Sequence, residues 1–372
     1  MTTRRLTTEQ VAARLGIDRA SVYAYVSRGL LSSRREGRAS TFDAEEVDRL
    51  RIAGRAARRP TSSTAVVSTA ITELGEDWLA YRGVDVQDLG SARFESVCTW
   101  LWESVWDPAE RLPGDAAALR AAALPAGGTH ARAVVALLSA AAAVEGEDPL
   151  TLAPTLVRAV AGPAHPDAAQ LPIAELVAAR LGVPRARGVV DRALVLLADH
   201  DLATSTLAVR VATSTGAPLE LAMVAGIGAL SGALHGGAGR AALDLLDRCR
   251  VEAPGAVLDD LVARHERVPG FGHVVYRRDP RAVLLLAELD DPVVAGLVTA
   301  ARARALPAPN VDLALAALTR WYGLPDETPE LLHLVARCAG WVAHHLEESG
   351  ERGLRFRPRS VYTGPPRGRR LP

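Results

Sequence analysis

The chain contains no lysine, because all 43 of its basic residues are arginines. This absence excludes lysine Schiff bases, lysine nucleophiles and lysine-held phosphates. We interpret it as the coding bias of a GC-rich, bacterial genome. Aromatic residues make up only 4% of the 372 residues, whereas 49% are hydrophobic and alanine is abundant. Since alanine and leucine favour helices, the composition predicts closely packed helices.

Cysteines and long apolar runs are also scarce. The three cysteines, Cys98, Cys249 and Cys338, lack any metal-ligand spacing and are interpreted as buried thiols in a reducing cytoplasm. No signal-peptide core precedes the chain's first helix, and the uncharged run at 133–144 is too short to span a bilayer. No P-loop and no G-x-G-x-x-G after a strand is present. We expect a cytoplasmic protein with no membrane segment and no metal, flavin or nicotinamide cofactor.

Charge is distributed unevenly, although the formal net charge is zero. Residues 1–60 carry thirteen arginines against seven acidic residues, a net charge of +6. Residues 61–372 carry thirty arginines against thirty-six acidic residues, a net charge of −6. A basic N-terminal segment on a mildly acidic body indicates two separate tasks.

The basic segment has the spacing of a helix–turn–helix. Thr7 or Thr8 can cap a first helix and Asp18 a second, and a hairpin or wing around Glu36–Gly37 precedes a helix capped by Asp43. Residues 1–60 resemble the winged helix–turn–helix of the MerR and excisionase type, which implies DNA binding. A helical adaptor with solvated arginines is the alternative. The arginines placed to meet DNA phosphates are Arg19, Arg28, Arg34, Arg35 and Arg38.

The rest of the chain shows apolar faces at the helical period of 3.6 residues, with Gly, Pro, Asp and Ser at the breaks. Strand signals are confined to 78–86 and, more weakly, 357–363. The predicted fold class is therefore mainly α. The predicted helices span 94–106, 113–123, 129–144, 153–160, 173–182, 187–213, 218–233, 238–250, 256–266, 280–303, 310–321 and 329–349.

Four motifs place titratable side chains at defined positions on this pattern. "ADHDLATST" puts His200 within a long helical stretch, and "GALHGGAGR" puts His235 directly before two glycines and a helix N-terminus. "PGFGHVVYRRDPRA" puts His273 after a tight turn, with three arginines close behind it. "PNVDLALAAL" puts Asp312 in the first turn of a helix.

Each motif alone has a structural explanation as a helix cap or a core histidine. Together, two histidines near helix starts and an aspartate form an acid/base set. A helix N-terminus keeps a nearby imidazole neutral, and a neutral imidazole can donate one hydrogen bond to a developing oxyanion. The carboxylate is then free to act as the base.

These motifs, in this order, resemble those of the citrate synthase family. The resemblance runs from about Ser68 to Gly364 and includes "YRGVDVQDL" and "RPRSVYTG". It implies a two-domain helical fold, with a large domain at 61–236 and 323–372 and a small domain at 237–322. It also implies a homodimer whose small domain closes over the site.

The resemblance implies a role for each matching residue. Asp312 would take a proton from the methyl carbon of an acyl-CoA, and His235 would stabilise the enolate oxygen. His273 would polarise the ketone of a 2-oxo dicarboxylate and protonate the new alkoxide. The residues that would hold that substrate are His200, Arg281, Arg337 and, from the partner subunit, Arg357. Arg277 and Arg278 are the candidates for the CoA phosphates.

The sequence departs from the family's usual pattern at four points. Only two residues separate Tyr276 from Asp279, where three are usual, which we expect to move Arg281 relative to His273. Gly239 stands where the family usually has Asn. Leu-Ala-Leu follows Asp312 in place of Phe-Tyr-Ser, and His333 replaces a common Phe. The acid/base residues are retained, but the walls of the acyl-CoA pocket are altered.

Two functions fit these observations. One is a condensing enzyme that joins acetyl-CoA or propionyl-CoA to oxaloacetate. The other is a DNA-binding regulator whose body senses an acyl-CoA or a 2-oxo acid. The retained base, Asp312, favours the enzyme, because a sensor has no need of it.

Overall fold

The computed structural model describes residues 5–15, 22, 26, 31–36, 39–43, 47, 67–122, 128–144 and 148–356. The chain divides into two compact units, one that groups Met1–Val67 with Phe356–Pro372 and a larger one that spans Ser68–Arg355. In the part of the chain described here, no helix is both long and apolar enough to cross a membrane.

The N-terminal unit contains a three-stranded antiparallel sheet in the order β1-β3-β2, formed by β1 (Arg5–Thr7), β2 (Ser33–Glu36) and β3 (Ala39–Asp43). Helix α1 (Thr8–Leu15) begins with a reciprocal cap, because Gln10 N donates to Thr7 Oγ1 and Thr7 N donates to Gln10 Oε1. The predicted hairpin and first helix are thus confirmed. The buried core consists of Leu6, Val11, Ala12, Val22, Leu31, Phe42 and Val47.

The larger unit begins with a second three-stranded antiparallel sheet. Its strands are β4 (Thr72–Leu74), β5 (Leu79–Tyr81) and β6 (Val84–Asp85). Arg82 and Gly83 join β5 to β6 with φ angles of 48° and 81°, the left-handed pair that a tight two-residue hairpin requires. The strand signal at 78–86 is therefore confirmed.

The remainder of this unit is helical, as predicted from the periodicity. Most helices begin or end within a few residues of their predicted bounds. They are α2 (Phe94–Glu103), α3 (Ala116–Ala121), α4 (Thr129–Ala142), α5 (Pro149–Ala161), α6 (Ile173–Arg180), α7 (Arg187–Leu197), α8 (Thr204–Thr213), α9 (Leu219–Leu230), α10 (Ala238–Val251), α11 (Pro254–Ala263), α12 (Pro280–Leu286), α13 (Pro292–Ala303), α14 (Val311–Tyr322) and α15 (Thr328–Ser349).

Two of the predicted helices were too long. Each of them is two shorter helices in the structure. Residues 280–303 divide into α12 and α13, since the Asp291 side chain accepts from Val293 N and Pro292 starts a new helix. Residues 187–213 divide into α7 and α8. There Asp201 has a φ of 49°, and the Tyr81 hydroxyl donates to the Leu196 carbonyl and accepts from Asp199 N.

Apolar side chains of the larger unit form two separate cores. The first runs from Ile71 to Ala343, and the second lies between Ala242 and Ala317. Helix α14 is shared, because Leu313 packs in the second core and Leu315 in the first. The first core also includes Tyr276, Ala282 and Leu285, so the division into a large domain at 61–236 and 323–372 and a small domain at 237–322 stays a prediction.

Candidate active site

His273 follows a turn that depends on glycine. Gly270 and Gly272 have φ angles of 78° and 79°, and a Cβ on Gly270 would come within 2.8 Å of helix α14. The imidazole Nδ1 accepts from the backbone N–H groups of Val275 and Tyr276 at 3.0 and 3.2 Å. The neutral ring therefore carries its proton on Nε2, which remains a donor.

Asn310 joins this turn to the first turn of helix α14. Its backbone N–H donates to the Gly270 carbonyl and its side-chain amide to the Gly272 carbonyl, both at 2.9 Å. Its side-chain oxygen accepts from Asp312 N at 3.0 Å as the N-cap of α14. The turn that presents His273 and the helix start that presents Asp312 are thus one hydrogen-bonded assembly.

Burial raises the pKa of Asp312 to about 6, and the charge of Arg281 only partly opposes this shift. A carboxyl group with such a pKa is ionised at neutral pH and is a stronger base than an exposed aspartate. Asp312 lies in the first turn of a helix, as predicted.

His235 lies in a tight turn immediately before helix α10. A Cβ on Gly236 would lie 2.7 Å from the Leu230 carbonyl oxygen, so the turn needs glycine there. Nε2 of His235 lies 2.9 Å from Ser205 Oγ. Burial and then the charge of Arg337 lower the pKa of His235 to about 4, so the ring is neutral at pH 7. A neutral ring that accepts from Ser205 carries its proton on Nδ1.

His200 was predicted to lie within a helix, but that prediction was wrong. It lies in the break between α7 and α8. Its ring meets those of His273 and Tyr276 edge to face, with centroid distances of 5.1 and 5.3 Å. Its Nε2 is buried, with no hydrogen-bond partner among the residues the structure describes. Burial, then Arg281 and Arg337, hold the pKa of His200 well below its ordinary value.

Arg281 is buried at the start of helix α12 and is paired with Asp279. Its Nε and Nη2 donate to the two carboxylate oxygens at 2.9 and 2.8 Å. Burial raises the pKa of Asp279, but the charge and hydrogen bonds of Arg281 outweigh it and the net shift is downward. The guanidinium carbon lies 5.3 Å from the Tyr276 ring centre. Despite the two-residue spacing before Asp279, Arg281 reaches the site.

Arg337 is a buried positive charge close to three histidines, His200, His235 and His273. It is 2% exposed on helix α15, and its Nε and Nη1 have no hydrogen-bond partner within the described residues. Its charge lowers the pKa values of His200, His235 and His273. The charge of Asp199 acts on Arg337, but these two guanidinium nitrogens have no hydrogen-bond acceptor among the described residues, which suits a site for a carboxylate or a similar ligand.

His333 belongs to the same cluster, one helical turn before Arg337, although the sequence indicated it only as a departure from the family. Its Nδ1 lies 3.3 Å from the Pro329 carbonyl, and Pro329 packs against Gly239 beside the His235 turn. Burial and the charge of Arg337 lower the pKa of His333 to about 3. Tyr276 was likewise not predicted as a site residue, since a tyrosine after a turn carries no signal of its own.

Arg277 and Arg278 contact the tip of the β4–β5 hairpin. Arg277 N donates to the Glu76 carbonyl at 2.7 Å, and its guanidinium lies 3.2 Å from an Asp77 carboxylate oxygen. Arg278 N donates to the same carboxylate at 3.0 Å. Both side chains are otherwise exposed.

Arg278 lines a cavity of about 720 Å³ beside the site. Its wall is largely apolar and shares Phe271, Asp279 and Pro309 with the segments that carry His273 and Asp312. Arg302 supplies a second positive charge. A cavity of this size and charge accommodates an elongated, partly apolar anion.

The structure thus brings His200, His235, His273, Arg281, Asp312 and Arg337 together. Arg357 lies outside the described residues, as do Arg19, Arg28 and Arg38. Arg34 is exposed on strand β2, and the backbone of Arg35 follows it. No group of three or more His, Cys, Asp or Glu side chains in the described ranges is placed to hold a metal ion.

These features define a helical protein in which histidines and an aspartate are gathered near a buried arginine, two of whose nitrogens have no partner among the described residues. The family model "Citrate synthase, C-terminal domain" matches residues 149–359, which is 211 of the 372 residues. The chain belongs to the citrate synthase family. A second model, "Helix-turn-helix domain", matches residues 5–52.

Relatives with the same name share moderate identity. The chain is 38% identical to citrate synthase of Haloferax volcanii over 190 residues, covering 47% of this chain and 49% of the relative. It is 34% identical to citrate synthase 2 of Bacillus subtilis over 198 residues, covering 49% and 52%. The chain therefore spans about half the length of the curated relatives it matches.

Solved structures extend the likeness of fold over more of the chain. Citrate synthase of Thermoplasma acidophilum, in a ternary complex with carboxymethyl coenzyme A and oxaloacetate, matches with a TM-score of 0.67. The match covers 84% of this chain and 97% of that one at 23% identity. The Thermotoga maritima enzyme matches with a TM-score of 0.66, covering 85% and 98% at 23% identity. The citrate synthase-like helical fold is therefore confirmed.

Proposed function

We propose that the protein condenses acetyl-CoA, or propionyl-CoA, with oxaloacetate to give citrate, or 2-methylcitrate, and CoA. The observation that carries this proposal is the hydrogen-bonded assembly of His273 and Asp312 beside the buried Arg337. That arrangement combines a base, a neutral hydrogen-bond donor and a carboxylate site, which a carbon–carbon condensation requires together.

In the first step Asp312 takes a proton from the carbon next to the thioester. Its raised pKa strengthens it as a base while leaving it ionised at neutral pH. His235 donates from Nδ1 to the developing enolate oxygen, because Ser205 occupies Nε2. The ring's low pKa keeps it neutral throughout.

In the second step the enolate carbon attacks the ketone carbon of oxaloacetate. His273 donates from Nε2 to the ketone oxygen and protonates the alkoxide as the new bond forms. Water then attacks the thioester carbonyl, the carbon–sulfur bond breaks and CoA leaves. The two carboxylates of oxaloacetate are held by His200, Arg281 and Arg337 of one subunit and by Arg357 of the partner subunit.

We propose the 720 Å³ cavity as the acyl-CoA site, with Arg277 and Arg278 near the phosphates. Arg278 and Arg302 provide charge, and the apolar wall suits the pantetheine arm. The acyl-CoA is a co-substrate, and we propose no further cofactor. Relatives of this fold bind such ligands, as the Thermoplasma acidophilum complex with carboxymethyl coenzyme A and oxaloacetate indicates.

Release of free CoA thiol by the purified protein tests this function. With oxaloacetate and either acetyl-CoA or propionyl-CoA, we expect steady release, and none when oxaloacetate is omitted. The ratio of kcat/KM for the two thioesters identifies the acyl substrate. No release with either thioester would contradict the proposal.

We also propose a cytoplasmic homodimer. Exposed apolar side chains on two helices in mutual contact, Val135 and Leu138 on α4 and Leu221 on α9, support a subunit interface. A symmetric dimer would present two N-terminal units to paired DNA half-sites.

DNA binding by residues 1–60 is the second proposed activity, supported by the helix–turn–helix match and by the exposed Arg34. Deleting residues 1–60 is expected to abolish DNA binding and to leave CoA release unchanged. Mobility shifts on genomic fragments and the thiol assay measure the two effects. DNA binding that survives the deletion would place the contact elsewhere. A full-length chain that shows no turnover but binds DNA in an oxaloacetate-dependent way would favour a ligand-sensing regulator.

A further inference from the structure

Tyr276 lies among the groups that the proposed reaction uses, yet that reaction assigns it no task. It is 4% exposed. Its ring stacks on His273 with a centroid distance of 4.6 Å and an interplanar angle of 29°. His200 meets its edge at 5.3 Å, and the Arg281 guanidinium lies 5.3 Å from its centre.

The Tyr276 hydroxyl is buried without a hydrogen-bond partner in the described part of the chain. Tyr81, which is also fully buried, shows the usual arrangement, because its hydroxyl donates to the Leu196 carbonyl at 3.1 Å and accepts from Asp199 N at 3.3 Å. Stacking on His273 needs only the ring, and phenylalanine would provide that equally well. No described residue takes up this hydroxyl, so a bound ligand can serve as its partner.

The neighbouring unpartnered atoms indicate what that partner is. Arg337 has two buried nitrogens without partners, and both are donors. Burial raises the pKa of the Tyr276 hydroxyl, so it too is a donor at neutral pH. His200 Nε2 is the remaining unpartnered nitrogen of this group. These groups belong to one cluster of buried side chains, and a carboxylate is the acceptor that suits a guanidinium.

We propose that Tyr276 is a further substrate-binding residue, whose hydroxyl donates a hydrogen bond to a carboxylate of the 2-oxo acid. This inference rests on the proposed function, because that function supplies the dicarboxylate. Tyr276 would thus add an uncharged hydrogen-bond donor to the arginines that bind the substrate. Its ring and its hydroxyl would have different roles. The ring orients His273, and the hydroxyl binds the substrate that His273 polarises.

The Tyr276→Phe variant isolates the hydroxyl, because the ring and its stacking remain. We expect the Kd for oxaloacetate, measured by isothermal titration calorimetry, to rise by about tenfold or more, as befits a lost hydrogen bond to a charged group. The KM for oxaloacetate should rise in the same proportion, and the KM for the acyl-CoA should stay unchanged. Tyr322→Phe is the matched control, since Tyr322 lies ten residues beyond Asp312 on α14, about 15 Å away.

An unchanged Kd in Tyr276→Phe, in a protein whose wild type binds oxaloacetate, overturns this inference and leaves the proposed function standing. A buried Asp199 carboxylate oxygen without a partner is the alternative acceptor. If the hydroxyl serves Asp199, the variant lowers the melting temperature of the free protein and leaves the Kd unchanged. A wild type that binds no oxaloacetate overturns both proposals together.

Discussion

The Asp312→Asn variant is expected to lose about a thousandfold in kcat while still binding oxaloacetate. Asparagine has the shape of aspartate but cannot accept a proton, and general bases contribute about 10² to 10⁴ in rate. CoA release at saturating concentrations of both substrates measures kcat, and calorimetry measures oxaloacetate binding. Turnover that survives the substitution would show that another group is the base.

The same substitution is expected to stabilise the folded protein at neutral pH. Burial raises the pKa of Asp312 to about 6, above its value near 4 in the unfolded chain. The contribution of Asp312 to the free energy of unfolding is therefore fully present below pH 4. It is lost as the pH rises through 6. At pH 8 the ionised carboxylate costs about 3 kcal/mol, which asparagine avoids.

Denaturant unfolding of both proteins at pH 4 and pH 8 measures this effect. Asp312→Asn should raise the free energy of unfolding at pH 8 and leave it nearly unchanged at pH 4. Asp244→Asn is the control, because Asp244 is exposed on α10 and pairs with Arg240 at 3.1 Å. Equal stability of Asp312→Asn and wild type at pH 8 would contradict the raised pKa of Asp312.

The Arg337→Lys variant is expected to bind oxaloacetate about a hundredfold more weakly, equivalent to about 2.7 kcal/mol. Lysine keeps the positive charge but lacks the planar fork that grips a carboxylate with two hydrogen bonds. The buried Nε and Nη1 of Arg337, which have no partner among the described residues, are the atoms that this change removes. Calorimetry gives the affinity directly, without turnover.

Arg192→Lys is the matched control for Arg337→Lys. Arg192 lies on α7 and pairs with Glu288 at 2.5 Å, and both side chains are partly exposed. Its replacement should leave the affinity within a factor of about two, as exposed pairs contribute little. Equal affinities of Arg337→Lys and wild type would show that Arg337 does not hold the substrate.

The helices were predictable because their apolar faces repeat, and the two errors in length have different causes. The break at Asp291-Pro292 has a visible signal, an N-cap followed by proline, which the periodicity of the flanking helices masked. The break at 198–203 has no such signal. This break depends on hydrogen bonds between the Tyr81 hydroxyl, more than a hundred residues away in the chain, and the backbone of Leu196 and Asp199.

The residues of the candidate site that lie in local sequence motifs could be predicted from the sequence. His235, His273 and Asp312 stand beside glycine turns and a helix start, and these local signals are readable in the sequence. The pairing of Asp279 with Arg281 is local, because the two residues are two positions apart. The unpartnered Tyr276 hydroxyl and the packing of Pro329, one turn before His333, against Gly239 depend on contacts between distant segments. Only the folded chain reveals them.

Asn310 takes no part in the proposed chemistry, yet it fixes two residues that do. Its side chain bonds to the Gly272 carbonyl and to Asp312 N, so any change in the loop moves His273 and Asp312 together. Both bonds are made to backbone atoms, so a substitution that removes the Asn310 amide should affect both positions. In mechanical terms, one amide sets the spacing between the two residues to which the proposed reaction assigns acid and base roles.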